Sequence, residues 1–278
     1  MTTTNQDKKY ELLTDDTITF CGKNLYRIRA LKNFKKEKGS YYVKKGELGG
    51  YVASEKNLSH EGTAWVTDNA LVTDNALVTD DALIEDNALV KDNAKVTDNA
   101  LVKDNAKVTG NALIKDNAKV TGSAIIKDNA LVKGDCLVTG NASVGDDAQV
   151  KDNAYVIGHS IVAHSSIVES DALIKDGKIF DNALISGNAI IDCDATIAGD
   201  AQVFRSGDYQ VFKIVWDKYC SDANFTYTNS NKMWWLNGYH LTGEELIELA
   251  RHKEGEVEAN NYKAYVELVE KLEQINQQ

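Results

Sequence analysis

The stretch VTDNALVTDNALVTDDALIEDNALVKDNAKVTDNALV, from Val66 to Val102, repeats itself every six residues. With Val66 as position one, that position is Val or Ile in all 18 units from Val66 to Val168. Position five is Ala in 15 of these units and Cys136, Ser160 or Ser166 in the other three. Positions three and four read Asp-Asn, Gly-Asn, Gly-Ser or a close variant. The unit that opens at Ile174 has five residues, and the phase then resumes through Ile179, Ile185, Ile191, Ile197 and Val203.

A period of six fits no α-helix, which turns every 3.6 residues. It does fit a short strand, a corner and the next strand. Pleating then points the branched residue inward and its two neighbours outward. The small fifth residue fills the tight corner. Asn tolerates left-handed backbone angles better than any residue except Gly, which makes Asp-Asn and Gly-Asn good corner dipeptides. Three sides close a triangular coil of about 18 residues, and one coil buries its apolar face only by stacking on the next. With strands ~4.8 Å apart, some eight coils make a prism about 40 Å long.

The units [Val/Ile]-x-[Asp/Gly]-Asn-Ala-x resemble those of the hexapeptide-repeat, left-handed parallel β-helix superfamily, over roughly half the chain. The resemblance implies an all-β solenoid, a left-handed parallel β-helix of about eight triangular coils over residues 53–204. A small β-rich cap is expected over 1–52 and a C-terminal α/β cap over 205–278, since open strand ends invite unwanted pairing. In the N-terminal cap, Thr17–Phe20 and Leu25–Leu31 read as strands around the turn Cys21-Gly22-Lys23-Asn24. After Val203, strands are expected at Tyr209–Trp216 and Phe225–Thr228. A helix then starts at Thr242, with Glu245 closing a capping box, and a second runs from about Glu256 to Ile275. The segment FTYTNSNKMWWLNGYHLTGEELI resembles the ends of hexapeptide-repeat proteins from phages and prophages.

Net charge is −11, and from Val66 to Val203 there are 22 Asp and Glu against 11 Lys, so the acidity belongs to the repeat. That sign disfavours direct nucleic-acid binding by the shaft, and its charge spacing matches a DNA mimic poorly. No apolar run reaches the ~20 residues of a membrane span, and the polar N-terminus lacks the apolar centre of a signal peptide. Cys21, Cys136, Cys193 and Cys220 have no metal-like spacing and read as free thiols of a reducing cytosol. A cytoplasmic protein is expected, in the host cytosol if phage-encoded. Proline is absent, which suits uninterrupted strands.

Many members of the superfamily are acyltransferases with an excursion loop and a catalytic His. Here the repeat suffers no such excursion, and His159 and His164 fall at turn positions. Two solvated corner histidines are the simpler reading; an acyl-CoA-dependent enzyme with either as base is the alternative. The Asp-Asn corners lack the converging oxygens of a calcium site, and no metal or cofactor is expected. The outward row Trp65, Leu83, Leu101, Leu137, Tyr155 and Leu173 reads as an oligomer face, for a trimer first and a dimer second. In the C-terminal cap, Trp234, Trp235, Tyr239 and His240, with Tyr227 nearby, are candidates to hold a ligand or partner. Arg27 and Arg29 lie on one strand face near a Lys-rich loop that could attract phosphate or an acidic partner. The function expected is non-catalytic: a phage-type protein that presents a rigid prism and its caps to block or sequester a host protein or signalling nucleotide. A structural element of an assembly is the third reading.

Overall fold

The computed structural model describes residues 8–35, 42–192, 194–214 and 223–276. From Val66 to Val203 the chain is a parallel β-solenoid. Position six of one unit and position one of the next form a two-residue strand, such as Leu71–Val72. Leu71 pairs with Leu89, and Leu89 with Lys107, each one coil further on. The strands sort into three faces. The first runs from Leu71–Val72 to Thr196–Ile197, the second from Leu77–Val78 to Gln202–Val203, and the third from Trp65–Val66 to Ile190–Ile191. The second and third faces have eight strands each, the eight coils expected. Every position-one residue from Val66 to Val203 is fully buried, as are the position-five alanines between them. Each such Val or Ile stabilises the shaft by roughly 1.5–3 kcal/mol.

The corners differ from expectation. The residue in the left-handed region is the third, usually Asp, and not the Asn that follows it; Asp104 has φ 62° and Asp146 φ 53°. The reason lies between coils. The Asp86 carboxylate accepts the backbone N–H of Asp104 at 3.2 Å, and that of Asp104 accepts the N–H of Gly122 at 2.8 Å. Each Asp thereby satisfies a corner donor that would otherwise face only solvent. The Asn amides form a separate column, Asn75 to Asn93 to Asn111 to Asn129, at 3.1, 3.0 and 2.9 Å.

The five-residue unit closes because Gly177 takes the place of the corner Ala. Its carbonyl accepts the Ile161 N–H at 3.0 Å, as an Ala carbonyl does in other coils. A Cβ at Gly177 would come within 2.8 Å of Ile191 Cγ2.

Outside the strands, the inter-coil backbone bonds from Tyr51 to Ser186 run from an N–H of one coil to a C=O of the next, with Asp176 the exception. The two ends of the shaft therefore have different chemistry. At the first coil carbonyls are free, and donors meet them. Lys9 Nζ donates to the Ala64 carbonyl at 2.8 Å, the Tyr10 hydroxyl to Leu58 at 2.8 Å and Asn57 Nδ2 to Ala76 at 2.9 Å. The hairpin Tyr10–Phe20/Lys23–Ala30 joins Leu48–Val52, which continues the first face of the shaft. Trp65 is fully buried, with the Tyr10 and Phe34 rings edge-on to it, and Leu83 is 7% exposed. These two residues of the proposed oligomer row are thus not on an open face, and for Trp65 it is the N-terminal cap that covers it.

At the last coil N–H groups are free, and hydroxyl oxygens meet them. Thr226 Oγ1 accepts from the Thr196 N–H at 3.0 Å, and Ser230 Oγ from Gln202 at 2.7 Å. The Tyr209 hydroxyl accepts from the Asp192 N–H at 3.3 Å and donates to the Ile190 carbonyl at 3.0 Å. These residues belong to a four-stranded antiparallel sheet and its entry: Tyr209–Ile214, Ala223–Thr228, Met233–Leu236 and Tyr239–Leu241. The last two strands were not expected from sequence, being only four and three residues long; Trp216 lies outside the described residues. Helices α1 (Gly243–Lys253) and α2 (Glu256–Asn276) fall where expected, and Thr242 and Glu245 form the capping box. Both pack on one side of the sheet, around Phe225, Trp234, Leu246 and Tyr262. No helix among the described residues is long and apolar enough to cross a membrane.

Candidate functional site

Alternation along Met233–Leu236 sends the two adjacent tryptophans to opposite sides of the cap sheet. Trp234 is 2% exposed and joins Phe225 and Tyr227 against the helices. It and Tyr227 are therefore the small core of the cap and offer no surface to a ligand. Burial also pushes the Tyr227 hydroxyl up from its usual range, and it donates to Glu273 Oε1 at 2.6 Å. Trp235 lies on the other side, in register with Thr226 and His240, and that side faces the shaft. The result is a row of four rings from the shaft corner to the cap. His164 and Phe180 have centroids 5.7 Å apart, Phe180 and Trp235 6.1 Å, and Trp235 and His240 6.3 Å.

Beside this row is a groove of about 600 Å³. Its shaft wall is Ile161, Lys178, Phe180 and Thr196, from the last coils of the first face. Its cap wall is Asn224, Trp235, Asn237 and Gly238, and Asp194 lines it as well. A second hollow, of about 490 Å³, shares Asp194 and adds His159, Lys175, Asp176 and Asp192. The pair of hollows is acidic. The backbone N–H of His159 donates to Asp176 at 2.7 Å and holds that carboxyl below the usual carboxylate range.

The histidines have partners that the sequence did not reveal. His164 Nδ1 lies 2.9 Å from Asp181 Oδ1, and His159 Nδ1 lies 3.5 Å from Asp176 Oδ1. His164 and Asp181 are both position-three residues and meet as the corner Asp residues of other coils do, whereas Asp176, at the corner of the five-residue unit, meets the position-four His159. An orienting carboxylate is what a general base requires. Both imidazoles nevertheless stand out in solvent, at 79% side-chain exposure for His159 and 56% for His164.

The remaining candidates separate from the groove. Tyr239 is exposed and holds Lys253 Nζ 4.5 Å above its ring. Arg27 is engaged in the N-terminal cap: it stacks 4.2 Å over Tyr51, lies 3.3 Å from Asp16, and donates to the Gly49 carbonyl at 2.9 Å. Arg29 pairs with Glu11 at 2.5 Å. Arg27 is thus engaged within the cap, Arg29 stays part-exposed in its pair with Glu11, and Lys36 and Lys38 of the adjacent loop lie outside the described residues. Leu101, Leu137 and Leu173 are half-buried on the third face, and Tyr155 is 46% exposed there. Cys136 occupies a corner-Ala position, and burial pushes its thiol up to about 12. Cys21 is exposed and free, while Cys193 and Cys220 lie outside the described residues. Among the described residues no group of His, Cys, Asp and Glu is placed to hold a metal ion.

Residues 66–179 match the family described as the GMPPB C-terminal domain. The match covers less than half the chain and stops short of both caps. Together with the solenoid it fits the hexapeptide-repeat left-handed β-helix superfamily. No curated protein matches the chain.

Proposed function

We propose that this is a non-catalytic binding protein whose binding place is the groove between the last coils and the C-terminal cap. The observation that carries it is the Trp235 ring, turned away from the cap core and held beside Phe180 over an open groove with three amide and hydroxyl side chains. A sheet face that only closed the shaft would need no half-exposed indole there. The coils supply a rigid wall, since every unit is spent on core, corner and solvent. On the resemblance of its C-terminal segment to phage and prophage proteins, the role we propose is sequestration of a host factor. Self-association through the open part of the third face, as a trimer first and a dimer second, is part of the proposal. Leu137→Glu with Tyr155→Glu should then lower the sedimentation coefficient to that of a single chain; an unchanged value removes that part.

Mass spectrometry of what heat releases from purified protein tests the binding role. A compound carried by the wild type and absent from Trp235→Ala supports it. The second reading, an acyltransferase, is favoured by the His164–Asp181 pair alone. Calorimetry with acetyl-CoA is expected to give no heat. Binding of acetyl-CoA, lost in His164→Ala, would overturn the non-catalytic reading.

A further inference from the structure

Taking the groove as the binding place, as proposed above, the chemistry of its walls narrows what it holds. We infer that it takes a neutral, polyhydroxylated ring, a saccharide, laid against the Trp235 indole.

Three features point there. Trp235 is the largest side chain lining the groove, and Phe180 continues its ring at 6.1 Å. A pyranose has one apolar C–H face of matching size, whose contact with an aromatic ring excludes water from both. The polar lining is Asn224, Asn237, Thr196 and Asp194. Amides both donate and accept, and a carboxylate accepts from two directions, so this set answers neighbouring hydroxyls, which also do both. The third feature is charge. Lys178 is the one cation in the groove lining, against Asp194, and the adjoining hollow sets Asp176 and Asp192 against Lys175. A site for a phosphorylated ligand concentrates cations or aims backbone N–H groups at the anion. Here carboxylates outnumber lysines, and Asp176 already accepts the backbone N–H of His159. A nucleotide would bring its charge against them.

Saturation-transfer NMR on the full chain tests this, with maltose, cellobiose, N-acetylglucosamine and AMP as probes. At least one saccharide should receive saturation, strongest on the protons of its apolar face, and AMP none. Trp235→Ala should weaken that signal roughly tenfold and Asn224→Ala severalfold. The second variant leaves the aromatic packing alone, so a loss in both is not a folding defect. Transfer to AMP that Trp235→Ala abolishes would overturn the saccharide while leaving the groove as the binding place. Saccharide transfer unchanged in both variants would sink the groove and the saccharide together. Absence of transfer to every saccharide would overturn the saccharide class.

Discussion

At a corner, a single Asp does two things at once. It takes up a left-handed conformation that costs an L-residue roughly 1–2 kcal/mol, and its carboxylate satisfies the N–H of the coil beyond. Asp104 shows the balance, since it accepts from Gly122 and donates its own N–H to Asp86. Asp104→Ala should cost about 1–2 kcal/mol in urea unfolding, mainly from the lost acceptor for the Gly122 N–H, since the left-handed backbone is present in the wild type as well. Asp104→Gly relieves the strain and should cost about half as much. A cost for Ala no larger than for Gly would show that the left-handed backbone at this corner carries no strain. The columns also set an acid limit. Asp128 is held below its usual range by hydrogen bonds from Lys127 and from the backbone of Asp146, and Asp176 by the His159 N–H. A depressed folded-state pKa contributes stability that is present above the unfolded value of 3.8 and lost as pH falls through the folded one. Thermal unfolding midpoints should accordingly drop below about pH 4. The sequence revealed that positions three and four make the corner. It did not reveal which of the two is left-handed, because the deciding hydrogen bond comes from a residue 18 positions away.

The coil is the next scale, and its tolerance is set by packing inside a triangle with no slack. Val120→Ala should cost about 2–3 kcal/mol, two methyl groups plus the cavity they leave. The shortened coil has its own constraint at Gly177. Gly177→Ala must push against Ile191 Cγ2 at 2.8 Å, and overpacking of this kind should cost about 1–3 kcal/mol. Differential scanning calorimetry of the two variants checks both values, and a neutral Gly177→Ala would show that the coil can relax. The deletion itself is plain in the sequence, as one Ile five residues after another. Its consequence is not. The position-three residues His164 and Asp181 still stack as other corners do, but at the shortened corner Asp176 meets His159, which sits one position later in its own unit.

Over the whole molecule, the one-way run of inter-coil bonds makes the two caps chemical opposites. The N-terminal cap supplies donors and the C-terminal cap supplies hydroxyl acceptors. Lys9 is the most exacting of the donors. Burial, with Lys32 adding repulsion, drives its amine down to about 7 from 10.5. Because the unfolded chain binds this proton more tightly, stability should rise with pH from about 7 toward 10. Above that the buried Tyr10 hydroxyl, whose pKa burial raises, reverses the slope. Lys9→Met should flatten the rise, measured as unfolding free energy at pH 7, 8.5 and 10 (~3 pH units). A rise that survives Lys9→Met would place its origin elsewhere. By itself the sequence determined the shaft: a six-residue period of branched and small residues can bury its apolar side only as stacked triangular coils. It also determined helices α1 and α2, whose caps and apolar stripes are local. Only the tertiary structure decided which tryptophan is core and which faces the groove, and that Trp65 and Arg27 are spent on the N-terminal cap. Local patterns carry the period, but the meeting of a cap with the end of a shaft is made of contacts between residues far apart in the chain, and no periodicity records them.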